Sequence, residues 1–194
     1  MARQLEFQDQ EALTKAMHLF WEKGYGHCSV SDLLTAMNIR NGSFYNTFGS
    51  KKALFLKCLE LYYNDLAARS EKLFASSKPF KDKMRIMFRY PLDRQIQPNT
   101  PKGCFIINSV SADALEDKDI LKLVRYYLAS FEAMLDRAIR DAQARGEVSA
   151  SMDARNTAGV LNFYLQGLMK LCLLDYSNAK LREQTEVFLV SLGF

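Results

Sequence analysis

The sequence predicts an all-α protein, with an N-terminal three-helix head of helix-turn-helix type joined by a long helix to a helical C-terminal body. Three observations carry this. Apolar residues recur at the three-and-four spacing of a single helix face through most of the 194 residues. No stretch alternates apolar and polar side chains as a half-buried strand does, and no internal repeat or low-complexity tract interrupts the pattern. The window Ser29 to Leu54, SVSDLLTAMNIRNGSFYNTFGSKKAL, holds two short helix signals, a tight joint and a closing lysine pair.

In chain order, Gln8 to Lys23 carries Leu13, Ala16, Met17 and Phe20 on one face, and Gly24 is a good terminator. Ser29 can accept from the free N–H groups of the turn that follows, and Asp32 sits where the positive helix end favours an acid, so a second helix starts there. Val30, Leu33, Leu34 and Met37 form its apolar face. Asn38, a short polar residue able to take the left-handed conformation, ends it. In the next segment, from Ile39, Phe44 and Phe48 fall on one face. Gly42, Ser43 and Asn46 turn the opposite way, flanked by Asn41, Tyr45 and Thr47. Two short helices joined by so few residues form a helix-turn-helix.

The outward set is rich in small and hydrogen-bonding groups and contains no acid. Between Asp32 and Glu60 the only charged residues are Arg40, Lys51, Lys52 and Lys57. Nothing there repels a phosphate backbone, and Ser50 is placed to cap a helix beginning at Lys51 whose free N–H groups could hold a phosphate. The expected partner of this window is double-stranded DNA. Phe44 and Phe48 belong to the core of the head.

From Ser50 a long helical pattern runs to Leu73 and breaks at Ser76, Ser77 and Pro79. Phe80 to Gln95 is amphipathic, with Pro91 expected to end or kink it after Arg89 or Tyr90. Gln95 to Lys102 is a loop, and Gly103 to Leu115 reads as a short apolar helix. The acids Glu116, Asp117 and Asp119 open a long helix that stops at Gly146. Asp153 caps another to about Leu174, and a last helix covers about Ala179 to Leu192. Between Ala158 and Leu174 only Lys170 is charged. One contact face could not cover that much apolar surface. A second copy of the chain could, with Leu181, Val187, Phe188, Val190 and Leu192 of the final helix, in a four-helix interface.

Composition bounds the function. At 48% hydrophobic, the chain can bury a full core. The net charge of +4 is spread evenly, with seven basic residues against five acids up to residue 57, so the DNA argument rests on the local window. Cys28, Cys58, Cys104 and Cys172 lie far apart, and only His18 and His27 could join them, which argues against a structural metal. The acids from Asp113 to Asp119 read as helix caps. Cys104 reads as a buried thiol in preference to a redox or electrophile sensor. No cofactor is expected. The polar N-terminus and the lack of a run of about 20 apolar residues argue for a soluble, reducing, cytoplasmic setting.

These residues resemble the TetR (tetracycline-repressor-like) family of transcriptional regulators. The match runs from Ala16, Leu19 and Phe20 through Gly24-Tyr25 and Ser29-Val30 to Gly42-Ser43-Phe44-Tyr45, Phe48 and Lys51. Lys102 to Asn108 also looks like a stretch in one branch of the family. The resemblance implies an all-α homodimer, with a helix-turn-helix DNA-binding domain over residues 1–56 and an effector-binding and dimerisation domain over 57–194. It implies a repressor released from an inverted-repeat operator by a small molecule, with dimerisation through the last two helices. Carried over position by position, it places Asn41, Ser43, Tyr45 and Asn46 at the groove and Ser31, Thr47 and Lys51 at phosphates, with Arg40 and Gly42 in the same surface. The sequence departs from the family pattern at Arg40, Asn38 and Thr47, positions that bear on the phosphate contacts and the preferred bases.

For the effector pocket the candidates are Met84, Phe88, Phe105, Asn108, Tyr127, Phe131, Met134, Phe163 and Gln166. Asn108 and Gln166 are the informative ones, since an amide inside an apolar face needs a partner. Two other classes were weighed: a DNA-binding activator or architectural protein without effector, and a helical enzyme. No nucleophile and base pair, phosphate loop or metal spacing supports the enzyme.

Overall fold

The computed structural model describes residues 2–98, 100–110, 114, 116–174 and 176–194, with side chains from residue 10 onward. Nine helices lie among the described residues: α1 (Ala2–Lys23), α2 (Val30–Met37), α3 (Asn41–Phe48), α4 (Lys51–Ala75), α5 (Phe80–Gln95), α6 (Phe105–Asn108), α7 (Lys118–Ala144), α8 (Ala154–Leu171) and α9 (Asn178–Ser191). No strand occurs among them. The all-α expectation holds, and the caps that the sequence announces are present. Asp153 Oδ1 accepts from Asn156 N–H at 3.0 Å, and Ser177, which the sequence pattern did not single out, caps the last helix through Oγ, accepting from Lys180 N–H. Asp117 Oδ1 accepts from the N–H groups of Asp119 and Ile120 at 3.0 and 3.2 Å, so Asp117 caps α7, while Asp119 lies within the helix and pairs with Lys52. Asp113 lies outside the described residues.

The chain packs as two compact units, Met1–Asp65 with Phe105–Arg125 and Leu66–Cys104 with Tyr126–Phe194. The expected division at residues 56 and 57 follows chain order. Packing instead groups residues 105–125 with the N-terminal unit, for an identifiable reason. Phe105 is fully buried there, with ring centroids 5.8 Å from Trp21 of α1 and 5.7 Å from Phe55 of α4. Tyr62 closes the cluster edge-on to both Trp21 and Phe105. The rest of that unit's core comes from Ala16 and Phe20, Leu33 and Met37, Phe44 and Phe48, and Leu54 and Leu59, one stripe per helix.

In the second unit, α5 contributes Phe80, Met84, Phe88 and Leu92, a four-residue spacing that keeps them on one side. They pack on α8 and α9 and, at the Phe80 end, against Phe194 at 5.6 Å. Of the two outcomes expected at Pro91, an end or a kink, the end does not occur, and α5 runs on to Gln95. A proline inside a helix loses a hydrogen bond and crowds the preceding turn, at about 3 kcal/mol. Here Pro91 and Leu92 are both buried, and the last turn is tied down. Asn178 Nδ2 donates to the Leu92 carbonyl and to Gln95 Oε1, both at 2.8 Å, and Arg94 donates to the Pro101 carbonyl at 3.1 Å. Helix boundaries elsewhere also differ from expectation. Within the segment expected to run from Gly103 to Leu115, Phe105–Asn108 is helical, Ser109 and Val110 are not, and Ala114 is helical again; 111–113 and 115 lie outside the described residues. α8 stops at Leu171 in place of Leu174, and Leu173 and Leu174 are exposed beyond its end.

The surfaces of α8 and α9 keep large apolar side chains in contact with solvent. Val160, Phe163, Val187 and Val190 are exposed, Phe163 by 74% of its surface. Leu181, expected among the residues awaiting a partner, is buried in its own chain at 2% exposure and is not available. No helix among the described residues is long and apolar enough to cross a membrane.

Candidate nucleic-acid interface

The helix pair α2 and α3 is built by local chemistry. Ser29 Oγ accepts from Asp32 N–H at 3.1 Å while Asp32 Oδ2 accepts from Ser29 N–H at 2.9 Å, a reciprocal box that fixes where α2 begins. The Ser29 hydroxyl and Lys23 Nζ, 3.0 Å from Asp32 Oδ1, complete the ring. Hydrogen bonds from the Ser29 backbone, the Ser29 hydroxyl and Lys23 hold the Asp32 carboxyl down at about 2. At the other end Asn38 takes φ 56°, the left-handed conformation expected of it, and Ile39 N–H returns to the Leu34 carbonyl at 3.1 Å. Arg40 then stands at the N-cap of α3 in an extended conformation, with no side-chain bond to the helix. The usual stabilising cap is absent, as the departure at Arg40 implies.

Phe44 and Phe48 face inward at 0% and 8% exposure and pack on each other at 5.9 Å. With that face buried, Arg40, Asn41, Gly42, Ser43, Tyr45, Asn46 and Thr47 are all exposed, and so is Ser31 on α2. Tyr45 stands edge-on against Phe44, leaving 48% of its surface free. Gly42 is the informative residue. A Cβ built there would meet nothing within 4 Å, and its backbone is ordinary helix. Neither packing nor conformation within the chain calls for glycine, which in a helix interior is less favourable than alanine by roughly 0.5–1 kcal/mol. A surface free of Cβ lets another molecule approach the backbone closely.

Gly49, at φ 74°, turns the chain into α4, where Ser50 Oγ accepts from Ala53 N–H at 3.0 Å as the expected cap. The Lys51 ammonium lies 4.6 Å over the Tyr25 ring, and Lys57 lies 5.5 Å over Phe48. Lys52 is engaged elsewhere, between Asp117 and Asp119 at 2.9 and 2.6 Å. The sequence pattern had left that residue as a possible phosphate contact. Its real partners stand 67 positions away along the chain for Asp119, a separation no local pattern reveals.

The candidate effector residues do not converge. Phe105 belongs to the aromatic core of the first unit, and Asn108 is half-buried there. In the second unit Met84 and Phe88 are fully buried, Phe88 against Tyr164 and Phe188, and Tyr127 and Phe131 are buried on α7. Met134 is half-buried. Phe163 faces solvent and lines no interior space. Gln166 is the exception. Its Nε2 donates to Asn162 Oδ1 at 3.2 Å while its Oε1 is buried with no hydrogen-bond partner. A cleft of about 240 Å³ between α5 and α9 is lined by Arg85, Arg89, Leu92, Arg182, Glu183, Thr185, Glu186 and Leu189, and none of the nine candidates lines it. Two of the three arginines on its walls are neutralised by acids, Arg85 by Glu186 at 2.7 Å and Arg182 by Asp93.

All four cysteines are buried and none forms a disulfide, Cys104 included. Burial pushes the Cys28, Cys58 and Cys172 thiols up. Among the described residues no group of three His, Cys, Asp or Glu could hold a metal ion.

Two sequence-family models cover this architecture. Residues 12–58 match bacterial regulatory proteins of the tetR family, and residues 81–188, more than half of the chain, match the tetracyclin repressor-like C-terminal domain. The chain belongs to the TetR family. Among its relatives, the HTH-type transcriptional repressor ComR of Escherichia coli K12 is 32% identical over 163 residues, 84% of this chain and 78% of that protein. The HTH-type transcriptional repressor BdcR of the same organism is 25% identical over 145 residues, 75% of this chain and 73% of that protein. The fold matches CifR, a TetR family regulator solved with 26-bp double-strand operator DNA, at TM-score 0.84 and 24% identity, covering 92% of this chain and 93% of that one. It also matches the reduced form of E. coli NemR at TM-score 0.85 and 20% identity, covering 95% and 96%. As a TetR family member the chain is a DNA-binding transcriptional regulator, and the family is one of regulators, not enzymes.

Proposed function

We propose that the chain is a homodimeric, cytoplasmic repressor that reads an inverted-repeat operator and leaves it when a small molecule binds. In this reading residues 1–56 serve as the DNA-binding domain and 57–194 as the effector-binding and dimerisation domain. The observation that carries it is the exposed face of α3. A glycine with open space in front of it stands among Ser43, Tyr45 and Asn46, with no acid on the helix. Asn41, Ser43, Tyr45 and Asn46 meet base edges across a backbone approach opened by Gly42. Ser31, Arg40, Thr47 and Lys51 meet phosphates.

The exposed apolar side chains of α8 and α9 support dimerisation through those helices, and a dimer presents two heads to two half-sites. The effector side rests on Gln166, whose buried, unpartnered Oε1 would accept from a hydrogen-bond donor on the ligand. Met84, Phe88, Tyr127, Phe131 and Met134 are the apolar candidates of the same unit. Selection of random duplexes by the purified full-length chain tests the reading. Enrichment of one inverted repeat, bound by two chains with affinity falling steeply as salt rises, is the expected result. No preference over random duplex would overturn it.

A further inference from the structure

We propose that Asp117 and Asp119 hold Lys52 in place of a DNA phosphate, so that the return segment 105–125 and the DNA backbone compete for one lysine. The inference rests on the reading that α3 and the start of α4 dock on DNA. Lys52 is the second residue of α4, directly after Lys51 and the Ser50 cap, at a helix N-terminus whose free N–H groups favour an anion. Its ammonium lies 2.9 Å from Asp117 Oδ2 and 2.6 Å from Asp119 Oδ2. Two carboxylates on one ammonium reverse the local charge at the helix end that precedes the phosphate-facing surface. The four basic residues of the window, Arg40, Lys51, Lys52 and Lys57, therefore act as fewer.

Packing, and not only attraction to Lys52, delivers the acids. Phe105 anchors one end of the segment among Trp21, Phe55 and Tyr62. At the other end Asp117 is fixed by accepting the first N–H groups of α7. The acids therefore stay in place when Lys52 leaves them. The group remains open to exchange chiefly on the Asp119 side: the Lys52 side chain is 36% exposed, that of Asp119 68% and that of Asp117 22%. Ion pairs this exposed add little to folding stability, so holding the fold together does not account for the arrangement. A lysine ammonium is a compact point charge on a flexible stem and transfers readily between a carboxylate and a phosphate oxygen.

The test is salt-dependent binding of the full-length chain to its selected duplex. Asp117→Asn with Asp119→Asn should tighten binding at low salt and steepen the plot of log affinity against log salt by about 0.9 for each head, one added phosphate contact. Asparagine also caps helices, and Asp119→Asn alone leaves the Asp117 cap intact, so a partial gain from the single variant separates this effect from damage to α7. Lys52→Gln should leave the slope of the parent protein unchanged and abolish the gain of the double variant. An unchanged slope in the double variant, or a gain that survives Lys52→Gln, would overturn the inference while parental binding stands. Failure of the parent chain to prefer any duplex would overturn the DNA reading beneath it.

Discussion

On α3 the side chains left to solvent are Asn41, Ser43, Tyr45, Asn46 and Thr47 around a bare Gly42, whereas on α8 and α9 they are Val160, Phe163, Val187 and Val190. Both are exposed helix faces that the chain does not cover itself. The first offers hydrogen-bond donors and acceptors with room for a backbone to approach, which suits base edges and phosphates. The second offers apolar area, which water disfavours and an identical face can cover, and Lys170 is the only charge between Ala158 and Leu171 of α8. The kind of group left bare indicates the partner more directly than the amount of surface left bare.

The strongest way to break that comparison is to give the second face the chemistry of the first. Phe163→Glu should turn the dimer into a monomer in sedimentation. Operator affinity should drop by roughly 100-fold or more, since the second head no longer binds at the effective concentration set by the first. A dimer with unchanged affinity would show that α8 is not the interface. Within the first face the contacts should divide. Asn46→Ala is expected to lose about 1–3 kcal/mol of discrimination at one base pair, read by competition between selected and mutated duplexes. Lys51→Ala should weaken all sequences alike and flatten the salt slope by about 0.9 per head. The same loss of preference from both would mean that reading and anchoring are not separated along this surface.

Gly42→Ala sharpens the comparison further, because it should move two quantities in opposite directions. Thermal unfolding should show the head more stable by roughly 0.5–1 kcal/mol, as for any glycine replaced in an open helix. DNA binding should weaken because a methyl group now stands at the approach. Improved stability with undiminished binding would leave Gly42 without a role. The smallest effect belongs to Asp32. Its carboxyl sits at about 2 in the folded chain against about 3.9 when unfolded, so the support it gives α2 is complete above the unfolded value and is lost as pH falls toward 2. Asp32→Asn should therefore lower stability at neutral pH, change little near pH 2, and flatten the acid limb of the stability curve between the two values.

The sequence was legible wherever the deciding interaction is local. The Ser29 and Asp32 box, the left-handed Asn38 and the inward Phe44 and Phe48 all follow from neighbours within a turn or two. It misled where distant packing decides. Pro91 left an end or a kink open, and the helix continues because Asn178 and the buried Leu92 secure the last turn of α5. Phe105 looked like a pocket residue because its neighbours are apolar, yet the chain carries it back to Trp21 and Phe55. For Lys52 the sequence left a phosphate contact and a solvated side chain equally open, because the acids that engage it are remote along the chain. Phe163 had the helical spacing of a core aromatic, and only the packing of α8 on α5 places it outside.

The docking of Phe105 also equips the protein for spectroscopy. Trp21 is the only tryptophan in the chain, it is buried, and its indole lies edge-on to Tyr62 and 5.8 Å from Phe105. Its emission arises at the place where the return segment meets the head. Any event that lifts residues 105–125 away lets water reach the indole and shifts its light to longer wavelength. The packing of that segment on the head can therefore be followed on the unlabelled protein, through its one tryptophan.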